Sequence, residues 1–203
     1  MAYGSFKTLE EVLLKFGIES KTEKFLNETS IEIAQAIFDF IMEKFSNRRN
    51  FLSENSICET MISPILHVVT EKHGLPLWSH VRFEVSEQEG LTGIPDFLIA
   101  PASKIETIFT TPVVCITEVK KENFDEGWTQ GLCEMIAAQR FNGEPQKIIY
   151  GIATSGSIWQ FAKLVGKKFI LDPRIYSATV NLQQVLNVIN WLLGEAKKEL
   201  PEN

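Results

Sequence analysis

Two short apolar runs of the sequence contain acidic and basic side chains whose types suit metal-dependent chemistry. Asp96 follows Pro95 in the first run, and Glu118 and Lys120 flank Val119 in the second. Carboxylates, a backbone carbonyl and water are the oxygen ligands that Mg²⁺ or Mn²⁺ prefers, so Asp96, Glu118 and the Val119 carbonyl form a candidate metal site. Lys120 would lie beside a water held by the metal, where it could position that water or help to deprotonate it.

Side-chain alternation predicts that these groups meet at one end of a sheet. Both runs are bounded by Gly or Pro, as buried central strands often are. Successive side chains of a strand point to opposite faces, so Glu118 and Lys120 share one face. In the same way, Asp96 shares a face of the neighbouring strand with Leu98. Unpaired buried charges are costly, so these groups must pair with one another or hold a cation.

The order Pro95-Asp96 followed by Glu118-Val119-Lys120 resembles the PD-(D/E)XK motif of the restriction-endonuclease-like nuclease superfamily. The resemblance implies an α/β fold with a mixed central sheet flanked by helices. It also implies that Asp96, Glu118 and the Val119 carbonyl hold Mg²⁺ or Mn²⁺, and that Lys120 is catalytic.

Three features outside this motif resemble the nuclease domains of type I restriction subunits. Glu59 stands in a stretch similar to the "E…PLL" helix of those domains, whose Glu adds an acidic group at the metal site. Gln130, in the first turn of the helix after Lys120, resembles the Gln that extends the motif and is therefore a candidate catalytic residue. The segments 150–156 and 159–161 resemble the "TNG…W" hairpin that closes those domains.

Over most of its length the chain resembles PD-(D/E)XK-like proteins that are common in cyanobacteria. The segments 127–141 and 150–164 carry this resemblance, which implies a fold more than a biological role. No helicase or methyltransferase segment is recognisable, so the type I likeness is to a nuclease domain alone.

Each of these residues also has a structural interpretation. Glu118 and Lys120 could form a solvated pair at a strand end, and Asp96 could be a turn acid after a proline. Gln130 and Glu134, one helical turn apart, could be surface polar residues. The apolar residues around the acids favour burial instead, and buried acids cluster at functional sites.

Glu59 leaves two interpretations open. Ser56 and Glu59 have the spacing of a capping box, in which the Glu would bond only the first amide of its own helix. Ile62 and Leu66, three and seven residues further on, place Glu59 on the apolar face of that helix instead.

Hydrophobic periodicity predicts the elements that must position these residues. Residues 1–50 are expected to form an N-terminal helical extension packed on the core, with two helices broken near residues 17–20. Residues 51–203 are expected to form the nuclease-like domain. Its predicted elements are a helix from 53 or 56 to 73 that Pro64 bends or divides, strands at 81–86, 94–100, 113–119, 148–154, 158–164 and 169–171, and helices at 125–141 and 182–193.

Composition limits the partners and the compartment. The 203 residues include 20 Lys and Arg against 26 Asp and Glu, a net charge of −6, and 44% of them are apolar. This acidic balance predicts that the chain alone binds nucleic acid weakly, and that a homodimer or a partner protein would supply further affinity. Because the sequence has no bilayer-spanning apolar run and no signal-peptide pattern, a cytoplasmic protein without a membrane partner is expected.

The cysteines and histidines are assigned to no site. Cys58, Cys115 and Cys133 form no C-x-x-C pair and are expected to be reduced thiols. The three histidines have no metal-ligand spacing, so none is assigned as a ligand.

The sequence therefore predicts a Mg²⁺-dependent nuclease that hydrolyses phosphodiester bonds, with DNA favoured as the substrate. Its predicted site residues are Asp96, Glu118, Val119, Lys120, Gln130 and Glu59. The alternative is a non-catalytic nuclease-fold module that binds nucleic acid or a partner protein, in which the acids persist as structure. The acidic net charge favours this alternative somewhat.

Overall fold

A computed structural model describes residues 3–200 of the chain as helices packed on both faces of a central sheet. The helices are α1 (Leu9–Phe16), α2 (Gln35–Ser46), α3 (Glu54–Ile57), α4 (Ser63–His73), α5 (Phe124–Asn142) and α6 (Ala178–Lys197). A π-helical turn, Cys58–Ile62, joins α3 to α4, and 3₁₀ turns lie at Tyr3–Ser5 and Arg48–Phe51. Within residues 3–200 no helix is both long and apolar enough to cross a bilayer.

The sheet is mixed, and most of its strand pairs are antiparallel. The strands of the described chain are β1 (Glu19–Thr22), β2 (Leu77–Ser79), β3 (Phe83–Ser86), β4 (Leu91–Gly93), β5 (Phe97–Ile99), β6 (Cys115–Val119), β7 (Ile149–Thr154), β8 (Ile158–Val165), β9 (Lys168–Leu171) and β10 (Tyr176–Ser177). The main sheet has the order β1-β9-β8-β7-β6-β5-β2, with β10 beside β8, and β3 pairs with β4 in a separate ribbon. The β1/β9 and β6/β7 pairs are parallel. The prediction of an α/β protein with a mixed sheet between helices is confirmed at this level.

The register of two central strands positions the acidic residues. β5 runs antiparallel to β6, with Phe97 opposite Thr117. Asp96 immediately precedes β5, and Glu118 follows Thr117 in β6, so the two acids lie at the same end of the strand pair. The strand predicted over 94–100 is therefore shorter than expected, and Asp96 lies just outside it.

Different helices cover the two faces of the sheet. α4 and α6 pack together over one face, and α5 covers the other face with α1 against its side. α5 can lie close to the sheet because two glycines face β6. A Cβ on Gly131 would lie 3.8 Å from the Cβ of Glu118, and a Cβ on Gly127 would lie 3.3 Å from the Cγ of Lys120.

The first fifty residues contribute a strand as well as the two predicted helices. The helix α1 ends at Gly17, whose φ of 60° is in the left-handed region that glycine favours. The next residues form β1, which pairs with β9 so that Glu19 lies opposite Lys168. Tyr3 and Val12 are buried in the same core cluster as α5, whereas Leu26 and Ile41 are buried in the cluster that contains α4 and α6.

Candidate functional site

Asp96 is held at the end of the sheet by contacts to both neighbouring strands. Its Oδ2 accepts the backbone N–H of Val119 at 2.8 Å, and its backbone carbonyl accepts the N–H of His80 at 3.0 Å. Its Oδ1 lies 3.4 Å from Nε2 of His80. Burial raises the pKa of Asp96, and the Val119 N–H, His80 and Lys120 oppose that shift only in part.

Glu118 is almost completely buried between β6 and α5, with 1% of its surface exposed. Its Oε1 lies 3.2 Å from Nζ of Lys120. Its Oε2 has no hydrogen-bond partner among the described residues. Burial, and then the carboxyl groups of Glu134 and Asp96, raise the pKa of Glu118 well above its ordinary value. A buried carboxylate oxygen without a partner is costly unless a proton or a cation occupies it.

Lys120 lies directly after β6, at the solvent side of this group. Its backbone N–H donates to the carbonyl of Thr154 at 3.0 Å, and its Nζ is surrounded by acids. Besides Glu118, that ammonium is 3.7 Å from Glu54 Oε2 and 3.9 Å from Glu126 Oε1. Burial alone would lower the pKa of Lys120, but the carboxylates of Glu118 and Glu54 raise it overall. Lys120 is therefore a cation and a hydrogen-bond donor in this arrangement.

Glu134, on α5, is a second fully buried acid beside Glu118. Its Oε1 accepts a hydrogen bond from Nε2 of Gln130 at 3.2 Å, and its Oε2 has no hydrogen-bond partner in the described part of the chain. Burial raises the pKa of Glu134 to about 8, although the hydrogen bond from Gln130 works against that rise. Gln130 thus reaches the acidic group through Glu134.

A cleft of about 610 Å³ opens beside Gln130, between residues 3–10 and the first turns of α5. Its charged lining residues are three acids and one lysine, namely Glu10, Asp125, Glu126 and Lys7. Glu126, one of these lining residues, also has a carboxylate oxygen 3.9 Å from the ammonium of Lys120.

Glu59 does not join this group. Its side chain is exposed and lines a separate groove with Phe40 and Pro64. The capping-box interpretation is wrong as well, because Ser53 is the N-cap residue and its Oγ accepts the N–H of Ser56.

Glu54, one helical turn before Cys58, contacts the lysines instead. Its Oε2 faces the ammonium of Lys120, and its Oε1 accepts the backbone N–H of Lys121 at 3.4 Å. No sequence pattern distinguishes Glu54, because it lies at the start of a helix, where acidic residues are common for helix-dipole reasons alone.

Cys58 and His80 also lie at Asp96, although neither was expected there. One ligand atom from each of these three residues lies within 4.8 Å of the others. His80 reaches Asp96 because β2 pairs with β5, with Ser79 opposite Phe97. The strand β2 is only three residues long and has no clear alternation, so the sequence contains no signal for this contact.

The hairpin between β7 and β8 secures the strand end that holds Lys120. The Oγ1 of Thr154 accepts the N–H of Gly156 at 3.0 Å, and the indole of Trp159 donates to the Gly156 carbonyl at 2.8 Å. Gly156 has a φ of 79°, which only glycine adopts without strain at this turn. The Thr154 carbonyl is thus fixed where it accepts from Lys120.

Comparison with known proteins supplies no chemistry for the acidic group at the end of β5 and β6. A scan against protein-family models and a search of curated proteins found no match to the chain. The geometry brings Asp96, Glu118 and Lys120 together, adds Glu134 and Gln130 on one side, and adds Glu54 at the solvent side. Such a group can hold a hard divalent cation and present an ammonium beside it.

Proposed function

We propose that the chain is a Mg²⁺-dependent nuclease with a PD-(D/E)XK active site on a restriction-endonuclease-like fold. The observation that carries the proposal is the meeting of Asp96, buried Glu118 and Lys120 at one end of two neighbouring strands. Buried acids of raised pKa beside a fixed cation are typical of functional sites rather than of solvated strand ends.

The donor atoms available here suit Mg²⁺ or Mn²⁺. Asp96 and Glu118 offer carboxylate oxygens, and the carbonyl of Val119, the last residue of β6, is the third proposed ligand. The unpartnered, buried Oε2 of Glu118 supports this assignment, because that atom needs a proton or a positive charge. When bound, the cation would neutralise a scissile phosphate and lower the pKa of a coordinated water.

Lys120 would act on the reacting groups as a positive donor. Its side chain is 13% exposed, so its ammonium lies at the boundary between the buried acids and solvent. Because the surrounding carboxylates keep it protonated, Lys120 would orient a water and offset negative charge that develops on the phosphate. Gln130 would position Glu134 through their hydrogen bond.

Cleavage of plasmid DNA by the purified chain tests this proposal. We expect nicking that requires Mg²⁺ or Mn²⁺ and that Lys120→Ala abolishes. Lys104→Ala, which changes an exposed lysine outside the site, is the matched control and should cleave like the wild type. Cleavage in chelator, or equal cleavage by Lys120→Ala, would overturn the proposal.

A non-catalytic nuclease-fold module is the second candidate, and one observation favours it. The ammonium of Lys120 faces three carboxylates, those of Glu54, Glu118 and Glu126, which together could serve to hold strand and helix ends in place. The same assay decides between the candidates, because a module of this kind would bind nucleic acid or a protein without cutting DNA.

We also propose DNA as the substrate and the cytoplasm as the compartment. Cys58, Cys115 and Cys133 are free and buried, which suits a reducing environment. The acidic residues that line the cleft would repel the phosphates of nucleic acid. We therefore propose that a homodimer or a partner protein supplies the further affinity.

A further inference from the structure

We propose that Cys58, His80 and Asp96 form a Zn²⁺ site that shares only Asp96 with the proposed Mg²⁺ site. Cys58 lies at the start of the π-helical turn, His80 directly follows β2, and Asp96 directly precedes β5. One ligand atom from each lies within 4.8 Å of the other two. Thiolate and imidazole ligands favour Zn²⁺, whereas Mg²⁺ takes oxygen ligands.

The spacing of two of the ligand atoms fits a shared metal better than a direct hydrogen bond. Nε2 of His80 and Oδ1 of Asp96 are 3.4 Å apart. A charge-assisted hydrogen bond between them would be about 2.7–2.9 Å long. Two ligands of a tetrahedral Zn²⁺, each about 2.0–2.1 Å from the metal, are separated by about 3.3 Å.

The second polar atom of each of these two ligands is already held. Nδ1 of His80 is hydrogen-bonded to Oγ of Ser79 at 2.8 Å, which leaves Nε2 free to face Asp96. Oδ2 of Asp96 accepts the Val119 N–H at 2.8 Å, which leaves Oδ1 facing His80. Histidines that bind metals commonly use their other ring nitrogen in this way, and that bond fixes the orientation of the ring.

The backbone also holds the ligands in place. Among the described residues other than glycine, His80 alone has a positive φ, of 50°, and its N–H is fixed by the Asp96 carbonyl. Such conformations are costly and cluster at ligand clamps and active sites. Cys58 is buried and lies at the start of the π-helical turn, so its position is fixed by the helices on either side. The imidazole is 42% exposed, so a metal ion can enter from solvent.

Three protein ligands leave one tetrahedral position for water or another ligand. On binding, the Cys58 thiol would release its proton to solvent and coordinate as the thiolate. Because Asp96 belongs to both sites, Zn²⁺ would compete with Mg²⁺ for this carboxylate. This consequence rests on the proposed nuclease function, but the binding of Zn²⁺ itself does not.

Titration of the purified, metal-free chain with Co²⁺, as a coloured substitute for Zn²⁺, tests the site. A thiolate ligand gives an ultraviolet charge-transfer band, which we expect to saturate at one Co²⁺ per chain and to disappear on addition of Zn²⁺. Cys58→Ser should abolish the band. Cys133→Ser, which changes a buried free cysteine on the α5 face, is the matched control and should keep it.

His80→Asn tests the second ligand and is designed to fold, because asparagine tolerates the left-handed backbone. Loss of a direct ligand should weaken Zn²⁺ binding by more than the ~10- to 100-fold that loss of an outer-shell partner costs. His67→Asn, at an exposed position on α4, should bind Zn²⁺ like the wild type. Competition against a zinc-responsive dye measures both affinities.

The results also separate this proposal from the nuclease proposal. The absence of a charge-transfer band in the wild type, its persistence in Cys58→Ser or unchanged affinity in His80→Asn would overturn the Zn²⁺ site, whether or not DNA is cut. A normal band in a chain that cuts no DNA under Mg²⁺ would overturn only the nuclease.

Discussion

At the scale of single residues, the two buried acids Glu118 and Glu134 dominate the behaviour of the site. Each has one carboxyl oxygen with a partner and one, Oε2, that has no hydrogen-bond partner among residues 3–200. Packing alone would favour apolar or amide groups at such positions, since an unsatisfied buried polar atom costs about 1–3 kcal/mol. Buried acids of this kind cluster at functional sites, and here the adjacent carboxyl groups of Glu118 and Glu134 can share a proton.

Glu134→Gln should raise the melting temperature in chelator. Glutamine keeps an acceptor for Gln130, removes the acid whose charge burial disfavours, and can donate toward Glu118. We expect the free energy of unfolding to rise by about 1–3 kcal/mol. In a chain of this size, each kcal/mol raises the melting temperature by about 2–4 °C. Differential scanning calorimetry measures the shift, and a variant that melts below the wild type would show that Glu134 is needed as a structural acid.

Glu118→Gln should fold but lose its binding to Mn²⁺. The amide is nearly isosteric with the carboxylate, so packing against α5 is kept, but a neutral oxygen is a much weaker ligand for a hard cation. Isothermal titration calorimetry measures the binding heat, and thermal melts should lose the Mn²⁺-induced rise that follows RT ln(1 + [L]/Kd). Glu122→Gln, at an exposed position, should behave like the wild type. Heats equal to those of the wild type in Glu118→Gln would remove Glu118 from the metal site.

At the scale of secondary-structure elements, the close approach of α5 to β6 decides how the acids are buried. Gly131 faces Glu118 with enough room for one methyl group, since a Cβ there would be 3.8 Å from the nearest side-chain atom. Gly131→Ala should therefore raise the free energy of unfolding by about 0.5–1 kcal/mol through helix propensity. Gly131→Leu should lower it, because its longer side chain would meet Glu118 and Trp128. Urea denaturation measures both free energies of unfolding. A loss of stability in Gly131→Ala would show that α5 lies too close to β6 to accommodate a methyl group.

Asp172 joins the segment after β1 to the turn after β9. It accepts backbone N–H groups from Phe25 at 2.9 Å and Leu26 at 3.0 Å, and the guanidinium of Arg174 at 2.7 and 2.8 Å. Burial alone would raise the pKa of Asp172, but the Arg174 guanidinium and these N–H groups lower it overall. No sequence motif marks this role, because an Asp before a Pro is also an ordinary turn acid.

Asp172→Asn should lower the free energy of unfolding at pH 7 by about 2 kcal/mol, since charge-assisted hydrogen bonds are lost. The folded pKa lies below the unfolded value of about 3.9, so this stabilisation is present above about pH 4 and is lost as the pH falls through the folded pKa. The difference between wild type and variant should therefore shrink below about pH 4. Denaturation across a pH series checks this, with Asp39→Asn on the exposed side of α2 as the control. A difference that stays constant down to about pH 2 would contradict the assignment.

Elements with strong apolar patterns were predicted near their true bounds, and short or polar ones were not. The helix α5 and the strands β7, β8 and β9 appear where periodicity placed them, because their burial is what produces the pattern. β1 is Glu-Ser-Lys-Thr, with all four residues exposed at the edge of the sheet, and it is held by backbone pairing with β9. The short strands β2, β4 and β10 also lacked a readable period.

The exposure of Glu59 differs from the burial that its sequence position predicts, because the phase of its helix changes. Asp96, Glu118 and Lys120 lie at one end of the sheet, as strand alternation predicts, because the two strands are adjacent. In a regular helix, the spacing to Ile62 and Leu66 predicts a buried Glu59, but Glu59 and Ile62 belong to the π-helical turn, which shifts the phase of the helix. Pro64 explains this turn, since its ring would clash with the carbonyl of Thr60 in a regular helix.

At the scale of the whole molecule, the net charge limits the affinity for nucleic acid that the proposed function would require. The chain has a net charge of −6, and the ammonium of Lys120 faces three carboxylates. The adjoining cleft carries three acids and one lysine among its charged lining residues. Much of a protein's affinity for DNA comes from counterions that leave the DNA when Lys and Arg neutralise its phosphates. Because this surface is acidic, few counterions would be released on binding.

The chain alone should therefore bind duplex DNA weakly, with a Kd at or above about 1 μM at physiological salt. The slope of log K against log[salt] should correspond to about two to four neutralised phosphates, at ~0.9 per phosphate. Fluorescence anisotropy of a labelled duplex, across a salt series in Ca²⁺ to support binding without cleavage, measures both quantities. Chelator in place of Ca²⁺ should weaken binding further, because the acids around Lys120 then repel the phosphate without a cation between them. Nanomolar binding with a steep salt slope would require a basic surface elsewhere on the chain, and the need for a second protomer or a partner protein would then disappear.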